Sequence, residues 1–184
     1  YHNRANSHVG AFVTPRAILI GAPGAGKTTV GGFLAGDLGC AFADSDQLVE
    51  GAHGASVADI FVEEGEALFR LWEQSAIAQA IKEFDGVLAL GGGAVMNPDT
   101  EREITKSRAS VIWLEVKSSV AFRRAGLSAP RPLLVGNVRA NLVGLLETRT
   151  PVYERLATHR IDANTMEPEQ LARHIAEQLR SDES

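Results

Sequence analysis

A chain of 184 residues, 45% hydrophobic and 22% charged, has the composition of one globular domain long enough to bury a core. Its 18 Lys and Arg against 23 Asp and Glu leave a net charge of −5, which argues against a sequence-independent nucleic-acid binder. One cysteine, Cys40, excludes an internal disulfide framework and a Cys-rich zinc site, and no apolar run approaches the roughly 18 residues of a membrane span.

Residues 1–15, "YHNRANSHVGAFVTP", lack the apolar stretch of a signal peptide and read as a flexible leader, so a cytoplasmic protein is expected. From residue 16 to 184 a single domain is expected, with no repeat and no linker. Short apolar runs read as strands at "AILI" (17–20), "AFAD" (41–44), "VLAL" (87–90), "VIWL" (111–114) and "HRID" (159–162). Between the first two, Val30, Phe33, Leu34 and Leu38 recur at helical spacing, and Gly39 suits a helix stop. Ser56 can cap a helix through Ile60 and Phe61, and a longer helix follows Gly65 with Ile77, Ile81 and Phe84 on one stripe. The stretch from Gly126 to Asn141, polar and containing Pro and Gly, reads as a mobile lid. Leu171, Ile175 and Leu179 mark the last helix. Strands alternating with helices predict a mainly parallel sheet covered on both faces, with ligands beyond the carboxyl ends of its strands.

The segment "GAPGAGKTT" (21–29) follows the first strand and opens a helix. Gly21, Gly26, Lys27 and Thr28 match G-x-x-x-x-G-K-[ST], in which successive backbone N–H groups curl around phosphate oxygens at a helix N-terminus. Lys27 then reaches the β- and γ-phosphates, and the Thr28 hydroxyl suits Mg²⁺. The nearest string to a guanine-reading Asn/Thr-Lys-x-Asp element, "TKSR" (105–108), lacks the aspartate, which favours ATP. Glu115, at the end of "VIWLE", reads as a solvated strand-end residue.

In "FADSD" the acids Asp44 and Asp46 are two apart, so along an extended segment both point the same way, one toward Mg²⁺ and one toward a substrate hydroxyl. Asp46 reads equally well as a helix cap. In "GEALFRLWE" (65–73), Arg70 and Glu73 lie one helical turn apart on one face, but taken alone the segment reads rather as a surface ion pair of Glu66 with Arg70. Arg131, between two prolines in "SAPRPLL", is placed to neutralise transferring phosphoryl charge if its segment closes. Arg149 stands two residues before Pro151, where a kinked or interrupted helix is expected. Three consecutive glycines, Gly91 to Gly93, end the run "VLALGGGAV" and must leave backbone bare for some close neighbour.

Taken together, "GAPGAGKTT", "FADSD", "GEALFR", "LALGGGAV" and "RPLL" followed by "R-T-P-V-Y" resemble the shikimate kinases over about residues 16 to 180. The resemblance implies a three-layer α/β P-loop kinase fold, a five-stranded parallel sheet with helices on both faces and a lid at 126–141. It implies an ATP- and Mg²⁺-dependent transfer to the 3-hydroxyl of shikimate, in the route to chorismate and the aromatic amino acids. A monomer without nucleic-acid or membrane partners is expected. On that analogy Lys27, Asp46 and Arg131 are catalytic. Gly21, Gly24, Ala25, Gly26, Lys27, Thr28, Thr29, Arg124 and Arg131 surround ATP, and Thr28 and Asp44 serve Mg²⁺. Arg70 and Arg149 grip the substrate carboxylate; Asp46, Phe61, Phe69, Glu73, Gly92 and Gly93 complete the shikimate pocket. Where the family often has a basic residue near adenine this chain has Met166, and Arg139 is a candidate second lid arginine. A P-loop kinase for another polyol acid such as gluconate, and a non-catalytic nucleotide-dependent regulatory module, are the alternative readings.

Overall fold

The computed structural model describes residues 14–126 and 138–182. Five strands, β1 (Ala17–Ile20), β2 (Ala41–Asp44), β3 (Gly86–Ala89), β4 (Ser110–Glu115) and β5 (His159–Asp162), form one sheet in the order β2-β3-β1-β4-β5. All four pairings are parallel, with β1 in the centre in register Ala17↔Val87 and Ile20↔Trp113 with its two neighbours. The sequence places the third strand one residue late and trims the fourth at both ends, a slip of the usual size for strand ends.

Helices α1 (Lys27–Leu38), α2 (Ser45–His53), α3 (Val57–Glu63), α4 (Glu66–Glu83), α5 (Pro98–Ser107), α6 (Ser118–Gly126), α7 (Val138–Leu156) and α8 (Pro168–Asp182) cover both faces. The strands are apolar on both sides because both sides are covered. Ala17, Leu19, Ala89, Ile112 and Leu114 face the layer that includes Leu34, Leu171 and Ile175. Ile18, Ile20, Leu88 and Trp113 face the other, with Ile77, Ile104 and Tyr153. A small third cluster, Val49, Ile60 and Phe69, ties α2, α3 and α4 into a side lobe beyond the β2 edge.

Several local signals act as read. Gly39 closes α1 in the left-handed region at φ 62°, and the Ser56 side chain accepts from the Asp59 N–H to cap α3. Two features differ from expectation. Residues 138–141, assigned above to the lid, form the first turn of α7, whose Leu142 is buried; the lid as drawn therefore runs four residues too far, and residues 127–137, with Arg131, lie outside the described residues. Helix α7 also runs on through Pro151 rather than stopping there, because Tyr153 and Leu156 beyond the proline are buried against the sheet and hold the turn in place.

Candidate active site

The glycine-rich loop, the aspartate pair and the triple glycine follow the carboxyl ends of β1, β2 and β3, three neighbouring strands of the sheet. After β1 the loop turns through Gly21 at φ 145° and Gly24 at φ 80°, conformations that an L side chain rarely adopts. A Cβ on Gly24 would in addition lie 2.4 Å from the Ala121 carbonyl oxygen. Gly26, at φ 89°, caps α1 without a side-chain hydrogen bond, so the first amides of that helix remain directed at the loop's concavity. Ala25 is buried, whereas Thr29 is exposed on the first turn. The Lys27 ammonium folds over the loop, donating to the carbonyl oxygens of Gly21 at 2.8 Å and Ala22 at 3.0 Å. Beside it opens a cavity of about 610 Å³ lined by the loop, Arg123, Arg124, Asn164, Met166 and Pro168. Arg124 is steered there by its bond to the Ala163 carbonyl oxygen at 2.8 Å.

The two aspartates part company at the end of β2. Asp44 is the last strand residue and the cap of α2; its Oδ1 accepts from the Asp46 N–H at 2.9 Å and its Oδ2 from the Thr28 hydroxyl at 2.7 Å. Asp46 already sits in the helix, so the two-residue alternation of an extended segment does not apply, and the cap is Asp44 rather than Asp46. Thr28 and Asp44 present hard oxygen donors side by side, which fits a Mg²⁺ ion completed by phosphate oxygens and water. No cluster of three or more His, Cys, Asp or Glu side chains suited to a metal ion occurs among the described residues.

The triple glycine, just past β3, packs against four charged side chains. The position that a Cβ on Gly91 would take lies 2.6 Å from Glu73 Oε1 and 2.9 Å from Asp46 Oδ1. The corresponding point on Gly92 lies 2.9 Å from the Pro23 ring and 3.3 Å from Arg149 Nη1. On Gly93 it lies 2.9 Å from Arg70 Nη2 and 3.1 Å from Arg149 Nη2. Bare backbone thus lets two carboxyl groups, two guanidiniums and the P-loop meet at one strand end. Arg70 and Arg149, separated by 79 positions in the chain, share this spot.

Glu73 is 2% exposed and bonds Arg70 Nη1 through Oε2 at 2.7 Å. Its other oxygen has no hydrogen-bond partner among the described residues. Burial pushes the Glu73 carboxyl above the usual carboxylate range, opposed by Arg70 and reinforced by Asp46. For Arg70 burial works against the charge, yet Glu73 and Glu66 together hold the guanidinium more firmly protonated than usual. Both ion pairs weighed for Arg70 are therefore present, the Glu66 contact longer at 3.3 Å. Phe69 is buried beneath Arg70, whose guanidinium carbon lies 5.3 Å from the ring centroid, and Phe61 packs on Phe69 at 4.8 Å. Glu115 forms a two-pronged pair with Arg160.

Sequence reasoning missed Ser45, whose buried hydroxyl accepts from the Gly91 N–H at 2.8 Å, and Pro23, which lies against Gly92. It also missed any role for Tyr153, which donates to the Gly92 carbonyl oxygen at 2.6 Å. Nothing local marks these three, since each acts through a partner from a distant part of the chain.

The family model described as "Shikimate kinase" matches residues 23–180. A shikimate kinase of Thermobifida fusca is 47% identical over 165 residues, covering 90% of this chain and 95% of its own length. Among solved structures, a shikimate kinase from Acinetobacter baumannii in complex with shikimate aligns with a TM-score of 0.87 at 35% identity, over 92% of this chain and 94% of that one. A gluconokinase from Sinorhizobium meliloti aligns over 95% of this chain and 100% of its own with a TM-score of 0.57 at 17% identity, a likeness of fold alone.

Proposed function

The chain belongs to the shikimate kinase family, and from that premise we propose that it transfers the γ-phosphoryl group of ATP to the 3-hydroxyl of shikimate with Mg²⁺ bound at Thr28 and Asp44. It is an ATP-dependent kinase, and the observation that carries the residue-level reading is the convergence of Arg70 and Arg149 at Gly93. Two guanidiniums brought within reach of one point make a receptor for a single carboxylate, and shikimate carries one. Gluconate is also a carboxylate, but no pairing of this kind enters through a likeness confined to the fold.

The parts then divide as follows. The P-loop amides and Lys27 hold the phosphates, and Lys27 trades its bonds to the Gly21 and Ala22 carbonyl oxygens for phosphate oxygens when nucleotide arrives. A bound Mg²⁺ would supply charge neutralisation to the phosphates. Thr28 and Asp44 would hold it, the Asp44 carboxylate kept in place by the Asp46 N–H. Asp46, at the start of α2 and beside Gly91, accepts the proton of the attacking hydroxyl. Gly92 and Gly93 offer their N–H groups to substrate oxygens, Phe61 and Phe69 wall the pocket, and Glu73 sets the Arg70 fork. Arg131 neutralises charge on the transferring phosphoryl group. A monomer acting in the cytoplasm is part of the same proposal, and no described helix is long and apolar enough to cross a membrane.

The test is ATP consumption at fixed Mg²⁺ with shikimate, with gluconate and with neither. Turnover that requires shikimate, and that chelation of divalent cations abolishes, is the expected result. Turnover driven by gluconate alone, or nucleotide binding without turnover, would overturn it.

A further inference from the structure

Tyr153 is 1% exposed, deep in α7, and its ring lies 6.0 Å from Trp113 in the core. A tyrosine so buried would ordinarily do as well as phenylalanine unless its hydroxyl has work. That hydroxyl donates to the carbonyl oxygen of Gly92, 61 positions away, at 2.6 Å, and is also in hydrogen-bond contact with the Arg149 guanidinium one turn back on α7. The neighbouring peptides of the turn are held otherwise. The Gly91 N–H goes to Ser45, the Gly91 carbonyl to the Ala94 N–H and the Gly93 carbonyl to the Met96 N–H.

Peptide planarity turns this bond into a constraint on the substrate side. In a trans peptide the C=O of Gly92 and the N–H of Gly93 point in opposite directions, and the chain has no cis peptide among the described residues. With the Gly92 carbonyl drawn down to Tyr153 in the core, the Gly93 N–H is turned to the opposite side. Arg149, one turn before Tyr153 on the same helix, places Nη1 at Gly92 and Nη2 at Gly93. We infer that Tyr153 is a positioning residue for the substrate carboxylate pocket: its hydroxyl fixes the Gly92–Gly93 peptide so that the Gly93 N–H and the Arg149 fork address one ligand in register. Burial pushes the phenol up to about 12 against the pull of Arg149, so the group remains a donor throughout the neutral range. A three-glycine turn has no side chains of its own to stop that peptide from rotating, and a donor from outside is what holds it.

This inference rests on the functional reading above, and its test separates the two. Tyr153→Phe keeps the ring in its core position and removes only the hydroxyl. The expected result is a shikimate KM raised about tenfold, with kcat and the KM for ATP within about twofold of the parent enzyme. A lower melting temperature with an unchanged shikimate KM would make the hydroxyl a stability feature only and overturn the inference. A parent enzyme with no shikimate-dependent turnover would fail the functional reading first, and this inference with it. Should Tyr153→Phe not fold, the parent sequence provides the readout, because the chain has only two tyrosines, Tyr1 and Tyr153. Full-length protein labelled with 3-fluorotyrosine gives a resonance for Tyr153, identified against Tyr1→Phe. It should move on adding shikimate and far less on adding nucleotide alone; a resonance indifferent to shikimate overturns the assignment.

Discussion

At Gly93 the atoms that a methyl group would meet first are the far ends of two long side chains, Arg70 Nη2 at 2.9 Å and Arg149 Nη2 at 3.1 Å. Flexible ends can yield, so Gly93→Ala should fold with little loss of stability. The two guanidiniums would then be pushed off the point they share, and the dissociation constant for shikimate should rise about tenfold while ATP binding is unchanged, as read by calorimetric titration. Equal weakening of both ligands would show that the turn, not the arginine pair, had been disturbed. Glu73 makes a different prediction. Burial raises its carboxyl, so the folded state holds the proton more tightly than the unfolded chain does. The contribution to stability is therefore complete below the ordinary glutamate value of about 4.3 and is lost as pH rises through the raised folded value. Urea unfolding across that interval should show a fall in stability with rising pH that Glu73→Gln flattens. The same slope in both proteins would mean that Glu73 is not its source.

Elements divide between those that carry site residues and those that only cover the sheet. Helix α4 brings Arg70 and Glu73, α7 brings Arg149 and Tyr153, and α2 begins at the aspartate pair. Helix α8, by contrast, packs Leu171, Ala172, Ile175, Ala176 and Leu179 onto the layer with α1, and only its N-terminal end borders the cavity beside the glycine-rich loop. Ile175 is 1% exposed and away from that end. Ile175→Ala should cost about 2–5 kcal/mol of folding free energy by lost burial plus the cavity left behind, measured by denaturant unfolding. Activity per folded molecule, with its KM for both substrates, should stay within about twofold. A change in the shikimate KM would contradict the division.

Across the whole molecule, the strand order places the P-loop strand β1 directly beside β3, so the loop after one and the glycines after the other are adjacent by topology. Arg70 from α4 and Arg149 from α7, 79 positions apart in the chain, meet at the last of those glycines. If Arg70 and Arg149 grip one carboxylate, Arg70→Ala or Arg149→Ala should each weaken shikimate binding about tenfold or more with little effect on ATP. An analogue with a neutral amide in place of the carboxylate should suffer much less, and lysine should rescue only in part, since it lacks the planar fork. Equal penalties on acid and amide would make the arginines structural.

The glycine-rich loop, the strand–helix alternation and the five strands were legible along the chain because their determinants are local: apolar periodicity, caps, and residues free to take positive φ. The roles proposed for Asp44, Asp46, Arg70, Glu73 and Arg149 come from the set in order, through resemblance, since alone the aspartates read as caps, Arg70 as half of a surface ion pair and Arg149 as a cation near a kinked helix. Which aspartate caps α2, and that α7 includes Val138, depended on local geometry that the polar stretches there do not announce. What fills the space over Gly91, Gly92 and Gly93, and why Tyr153 is not a phenylalanine, was decided by the tertiary structure alone. Those contacts join residues tens of positions apart, and sequence spacing carries information only about neighbours within a helix turn or a strand pleat.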